Sequence, residues 1–118
     1  RPMTVMIVDD NTKMREMIKS VFSKSLSVFC ECSDGSEAVE AYSRHRPDWV
    51  LMDIKMNTMD GLTATEAIRR SFPDAKIIIV TQYDDPDLRA KAKRAGATGY
   101  VLKENLLDIN KIISSNKG

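Results

Sequence analysis

The sequence predicts an α/β fold: a parallel sheet with helices on both faces. Three observations predict it. Five short apolar runs alternate with five stretches carrying apolar residues at helical spacing, from one end of the 118 residues to the other. No repeat, linker or low-complexity segment interrupts them, and such alternation lays successive strands parallel with helices crossing between them. The length suits one hydrophobic core, hence one domain over residues 1–118, able to bury about two-thirds of its unfolded surface without a disulfide or a metal.

The first strand is Met3 to Val8, apolar apart from Thr4, ended by two aspartates and readable as buried on both faces. Asn11 caps the helix that follows, whose stripe is Met14, Met17, Ile18, Val21 and Phe22. Leu26 to Cys32 is the second strand. Asp34 caps the second helix, with Glu37 three residues later as in a capping box, and Pro47 marks its end. Trp49 to Met52 is the third strand. Gly61 to Phe72 turns Leu62, Ala64, Ala67 and Ile68 inward as the third helix, stopped by Pro73. Ile77 to Val80, β-branched throughout, is the fourth strand. Asp85 as cap, Pro86 at the first helical position and Gly96 past the end frame the fourth helix. Gly99 to Leu102 is the fifth strand, and Leu106, Ile109 and Ile113 form the last helical stripe. Ser114 to Gly118 is polar, a frayed end or the start of a linker, and an opening Arg1 in place of Met marks a piece of something longer.

Composition excludes several functions. Eighteen Lys plus Arg against seventeen Asp plus Glu give a net charge of +1, without the basic excess of a nucleic-acid or anionic-membrane surface. With 42% hydrophobic and 30% charged residues, the chain is neither disordered nor membrane-embedded. Its longest aliphatic run, Ile77 to Val80, is far too short to span a bilayer, and the apolar stretch at Met3 meets Asp9 and Asp10 where a signal peptide would continue. Cys30 and Cys32 share a strand face, too close for an unstrained bridge, and one histidine, His45, completes no zinc set. They read as buried thiols of a reducing compartment, the cytoplasm, and His45 as a solvated helix end before Pro47. The basic residues Arg89, Lys91, Lys93 and Arg94 read as a solvated or protein-contacting face.

The chemistry gathers at one edge. Asp9 and Asp10 follow the first strand, Asp53 the third, Thr81 the fourth and Lys103 the fifth. In open α/β sheets, ligands bind just past the carboxyl ends of the strands. Three carboxylates there repel one another unless a cation intervenes, and a hard divalent ion such as Mg²⁺ takes oxygen ligands while keeping several waters. Phosphoryl transfer asks little more of a protein: an aligned nucleophile and positive charge at the equatorial oxygens. Asp53 as acceptor, Mg²⁺ and Lys103 as clamps and Thr81 as hydroxyl donor fill those roles.

The residues resemble a known family. Met6-Ile7-Val8-Asp9-Asp10-Asn11, Val50 to Met56 around Asp53, Met59-Asp60-Gly61-Leu62, Ile79-Val80-Thr81 and Ala95-Gly96-Ala97 leading to Tyr100-Val101-Leu102-Lys103 are similar to receiver (CheY-like) domains of two-component response regulators. The resemblance covers the whole chain and fills all five of the family's functional positions. It implies a flavodoxin-like, doubly wound five-stranded parallel sheet in order 2-1-3-4-5 with five helices. It implies phosphoryl transfer to Asp53 from a sensor histidine kinase or a histidine phosphotransfer protein. Mg²⁺ would be held by Asp10, Asp53 and the backbone carbonyl of Lys55, with Asp9 acting partly through water. Lys55 and Tyr83 would set the lifetime of the phosphoryl group. Thr81 and Tyr100 would form the switch, driving a phosphorylation-dependent homodimer through the face of the fourth helix, fifth strand and fifth helix, where the four basic residues were expected to lie. The domain would signal rather than act as an enzyme, catalysing only its own phosphorylation and slow autodephosphorylation.

Two departures bear on this. Asn57 stands where the family often has Pro, four residues after the acceptor, which would loosen the loop after the third strand; Glu104 stands where Pro often follows the lysine. The second, in Gly99-Tyr100-Val101-Leu102-Lys103-Glu104, resembles receivers of the NarL/FixJ (LuxR) type, which a helix-turn-helix DNA-binding domain normally follows. DNA would be contacted only through such an output domain. The alternatives are a stand-alone receiver or phosphorelay carrier. A flavodoxin-like FMN carrier would need a phosphate loop where Asp9-Asp10-Asn11 repels phosphate. An aspartyl phosphatase wants an acid where Lys55 stands, and a pseudo-receiver would lack the complete acid, Thr and Lys set.

Overall fold

The apolar runs become strands and the amphipathic stretches become helices. In the computed structural model, which describes residues 2–116, the chain runs through β1 (Met3–Val8), α1 (Thr12–Ser20), β2 (Leu26–Cys32), α2 (Gly35–His45), β3 (Trp49–Met52), α3 (Gly61–Ser71), β4 (Ile77–Thr81), α4 (Pro86–Ala95), β5 (Gly99–Leu102), a 3₁₀ turn (Lys103–Asn105) and α5 (Asp108–Ser115). The sheet is parallel, in the order β2-β1-β3-β4-β5. The predicted five-stranded, doubly wound fold is the observed one. Arg1, Lys117 and Gly118 lie outside the described residues, so the readings of the amino terminus and of the polar tail fall partly there.

Alternation along the strands divides the core in two. Met6, Val8, Val50, Met52, Ile77 and Ile79 meet Ala38 and Tyr42 of α2, Ala64 and Ile68 of α3 and Ala92 of α4. Val5, Ile7, Trp49, Leu51, Ile78 and Val80 meet Ile18 of α1 with Ile109 and Ile113 of α5. A residue-by-residue period of two thus feeds two helical layers, and β3 and β4 are fully buried because both of their faces are covered.

Caps fix the helix starts. Asn11 accepts the Met14 N–H at 2.9 Å, and Asp34 that of Ser36 at 2.9 Å. Glu37 does not close the expected box on Asp34. Its carboxylate takes the N–H and the hydroxyl of Ser33, two donors on one residue, at 3.3 and 2.9 Å. Asp60 caps α3, holding the Thr63 N–H at 2.8 Å. Gly96 ends α4 in the left-handed region at φ 102°.

Two further differences have local causes. The β1–β2 register pairs Val5 with Val28 and Met6 with Cys30, so Phe29 is the extra residue of a bulge in the edge strand. It is half exposed and meets the His45 ring edge-on at 5.2 Å. The four basic residues of α4 do not share the β5 side, as the sequence reading had them. Arg89 and Lys93, one turn apart, border Tyr100, whereas Lys91 and Arg94 border Leu62 and Glu66 of α3. Residues two apart on a helix point to nearly opposite sides. Cys30 and Cys32 are free thiols, half-buried and buried.

Candidate functional site

Backbone pairing brings the acids together. The Asp53 N–H donates to the Val8 carbonyl at 2.9 Å and the Asp9 N–H to the Cys32 carbonyl at 3.0 Å, so the ladder continues past the strand ends. A cleft of about 200 Å³ opens there, with Asp9, Asp10, Asp53, Lys55, Tyr83 and Lys103 on its walls and Asn11 and Gln82 beside them. Asp9 and Asp53 are buried and Asp10 is exposed. Carboxylate oxygens of the three lie within 4.8 Å of one another.

Lys103 bridges two of them. Its Nζ sits 3.1 Å from Asp9 Oδ2 and 3.2 Å from Asp53 Oδ1. Burial, then the neighbouring Asp9 charge, pushes the Asp53 carboxyl up to about 6, against the pull of Lys103. Burial pulls Lys103 down, but the Asp53 and Asp9 carboxylates outweigh it and leave its ammonium above the usual lysine range. Three carboxylates and one ammonium leave two negative charges uncompensated. An all-oxygen donor set with that charge fits a hard divalent cation.

Residues 5–114 match the family described as the response regulator receiver domain. The chain belongs to that family. Receiver domains are signalling modules of two-component systems, so the fold class and the family expected from the sequence are the ones found. The chain is 32% identical over 115 residues to the transcriptional regulatory protein DegU of Brevibacillus brevis, covering 96% of this chain and 48% of DegU. It therefore spans about half the length of that relative. A LuxR-family two-component response regulator from Aurantimonas sp. SI85-9A1 superimposes with a TM-score of 0.91 at 30% identity, over 98% of this chain and 84% of that one. CheY in a CheX–CheY–BeF3–Mg²⁺ complex from Borrelia burgdorferi does so with a TM-score of 0.90 at 26% identity, over 97% and 88% of the two chains.

Two of the expected residues stand behind the cleft. Thr81 is the last residue of β4 and fully buried, and its Oγ1 accepts the Tyr83 N–H at 3.2 Å. Tyr100 is turned inward. Its hydroxyl donates to the Tyr83 carbonyl at 2.6 Å, and the ring packs on the core beneath α4. That is the inward position the switch reading gives this ring, with the Tyr83 carbonyl as its partner. Lys55 Nζ lies 5.3 Å from the centre of the Tyr83 ring, so the two residues expected to set phosphoryl lifetime are neighbours.

Sequence reasoning missed Arg15. Its Nη1 donates to the Asp9 carbonyl at 2.6 Å while Nε meets Glu31 at 2.9 Å. Only the fold shows this reach, because nothing in the α1 pattern separates Arg15 from a solvated helix residue.

Proposed function

We propose that the receiver accepts a phosphoryl group on Asp53 and uses it to change the surface presented by α4, β5 and α5. The observation that supports this most is the Lys103 ammonium set between Asp9 and Asp53, beside Asp10. An Asp53 oxygen attacks phosphorus in line with a phosphohistidine nitrogen. The P–O bond forms, the P–N bond breaks with its electron pair going to nitrogen, and the imidazole, protonated on its other ring nitrogen, leaves neutral. Asp9, Asp10, Asp53 and the Lys55 carbonyl would hold Mg²⁺, which supplies positive charge to the phosphoryl oxygens when bound. Lys103 Nζ already lies within 3.2 Å of the Asp53 oxygen it would accompany. Thr81, once its hydroxyl turns from the Tyr83 amide, can donate to a phosphoryl oxygen, and Tyr83 and Lys55 limit the water that would hydrolyse the acyl phosphate.

The donor would be a sensor histidine kinase or a histidine phosphotransfer protein. The likeness to DegU and to the Aurantimonas regulator supports a NarL/FixJ-type receiver that controls a DNA-binding output domain, working in the cytoplasm. No helix among the described residues is long and apolar enough to cross a membrane. Phosphorylation would favour a homodimer through α4, β5 and α5, with Arg89 and Lys93 bordering Tyr100 on that face.

The test is incubation with acetyl phosphate and Mg²⁺ followed by intact mass measurement. The native chain is expected to gain one phosphoryl mass and Asp53→Asn none. Full labelling of Asp53→Asn would refute the assignment.

A further inference from the structure

The loop after β3 should be loose where Asn57 replaces Pro, yet it is held from outside. The Asp34 carboxylate, whose Oδ2 caps α2 through Ser36, also crosses to the loop. Its Oδ1 accepts the Thr58 N–H at 2.8 Å, and the Met59 N–H lies 3.2 Å from Oδ2. The side chain is buried. These bonds, the Ser36 amide first, hold its carboxyl down at about 2, so it is charged and accepting at neutral pH. The neighbouring Gly35 returns the contact: its N–H donates to the Met59 carbonyl at 3.2 Å, and a β-carbon there would stand 2.5 Å from that oxygen. At the far end the Gly61 N–H donates to the Ile54 carbonyl at 2.7 Å. The segment from Ile54 to Gly61, which contains Lys55, is therefore closed on itself and fastened at its middle to the start of α2.

We infer that Asp34 is a positioning residue for the cation site. It holds the Lys55 main chain in place through Thr58 and Met59, in the role that a proline ring at position 57 would otherwise serve. A shorter side chain at 34 frees two amides, an asparagine at least one, and residues 54–60 then sample other conformations. The cation then has to order the loop as it binds, and its affinity falls. The inference rests on the proposed function, in which the Lys55 carbonyl is a ligand.

Asp34→Ser separates this role from helix capping. Serine is a good cap and keeps a bond to the start of α2, but it is too short to reach Thr58 and Met59 as well. Mg²⁺ binding by isothermal titration calorimetry is compared for the native chain, Asp34→Ser, Asp34→Ala and Asp34→Asn, with amide exchange of Thr58 and Met59 followed by NMR. Serine and alanine variants are expected to bind Mg²⁺ about tenfold more weakly and to exchange both amides faster. At saturating Mg²⁺ they should reach the native extent of acetyl phosphate labelling. Asp34→Asn, which keeps one acceptor oxygen of the right reach, should fall between and secures the comparison if the alanine variant unfolds. Native affinity in Asp34→Ser, or a defect confined to alanine, overturns the inference and leaves the proposed function standing. A native chain that takes up no Mg²⁺ overturns both.

Discussion

Asp53 carries an electrostatic conflict, a buried carboxyl beside a second carboxylate. A buried carboxylate beside Asp9 costs stability when charged, and the sign follows from its raised value of about 6 against an ordinary 3.8. The cost is absent below the unfolded-state value, grows between the two and is full above about 6. That interval corresponds to at most about 3 kcal/mol. Partial contact with solvent reduces it to roughly 1–2 kcal/mol. In chelator, Asp53→Asn is therefore expected to be more stable than the native chain at about pH 7.5 and no more stable at about pH 4, by calorimetric melting. Equal stability at both pH values would mean that the site is not strained. The residues that carry this conflict were legible in the sequence, because each of Asp9, Asp53, Thr81 and Lys103 ends or follows an apolar run. Arg15 and the bonds from Asp34 to the loop were not. Their contacts join segments whose approach only the folded sheet determines.

At the scale of elements, the sequence patterns located the five strands and five α-helices, and the misses were a 3₁₀ turn and a bulge. The last helix begins at Asp108, after a 3₁₀ turn and with no side-chain cap from Leu107, so no capping signal marks its start. The bulge at Phe29 was hidden because Leu26 to Cys32 reads as an uninterrupted strand when β1 is not beside it. The loop between β3 and α3 is the element with most at stake. A β-carbon at Gly61 would stand 1.7 Å from the Asp53 carbonyl oxygen, so the backbone must move to admit it. Gly61→Ala is expected to destabilise the fold by about 2–3 kcal/mol and to slow acetyl phosphate labelling several-fold. Native stability together with native labelling would show that the loop yields without consequence.

Over the whole molecule, the backbone of one residue, Tyr83, would link the cleft to the proposed α4–β5–α5 face. Tyr83 gives its N–H to Thr81 and its carbonyl to Tyr100. In the proposed switch, turning the Thr81 hydroxyl toward a phosphoryl oxygen would remove one of these bonds and shift the balance of a two-state element. The inward Tyr100 ring, bonded to the Tyr83 carbonyl, stands where the proposed switch puts it in the active form. Thr81→Ala should label at Asp53 almost as fully as the native chain while losing its phosphorylation-dependent self-association, measured by sedimentation with beryllofluoride. Association equal to the native chain's would exclude the Thr81–Tyr83–Tyr100 route. The exposed face of α4 was the least legible feature: Lys91 and Arg94, expected on the β5 side, border α3 instead.

The central claim is that Asp53 is the acceptor, and the most direct measurement locates the bond itself. Borohydride reduces an aspartyl phosphate to homoserine, so peptide sequencing by mass spectrometry after acetyl phosphate, Mg²⁺ and borohydride reports the residue that was modified. Homoserine is expected at position 53 alone. Homoserine at position 9 or 10, or a native chain left unmodified at every aspartate, would contradict the account.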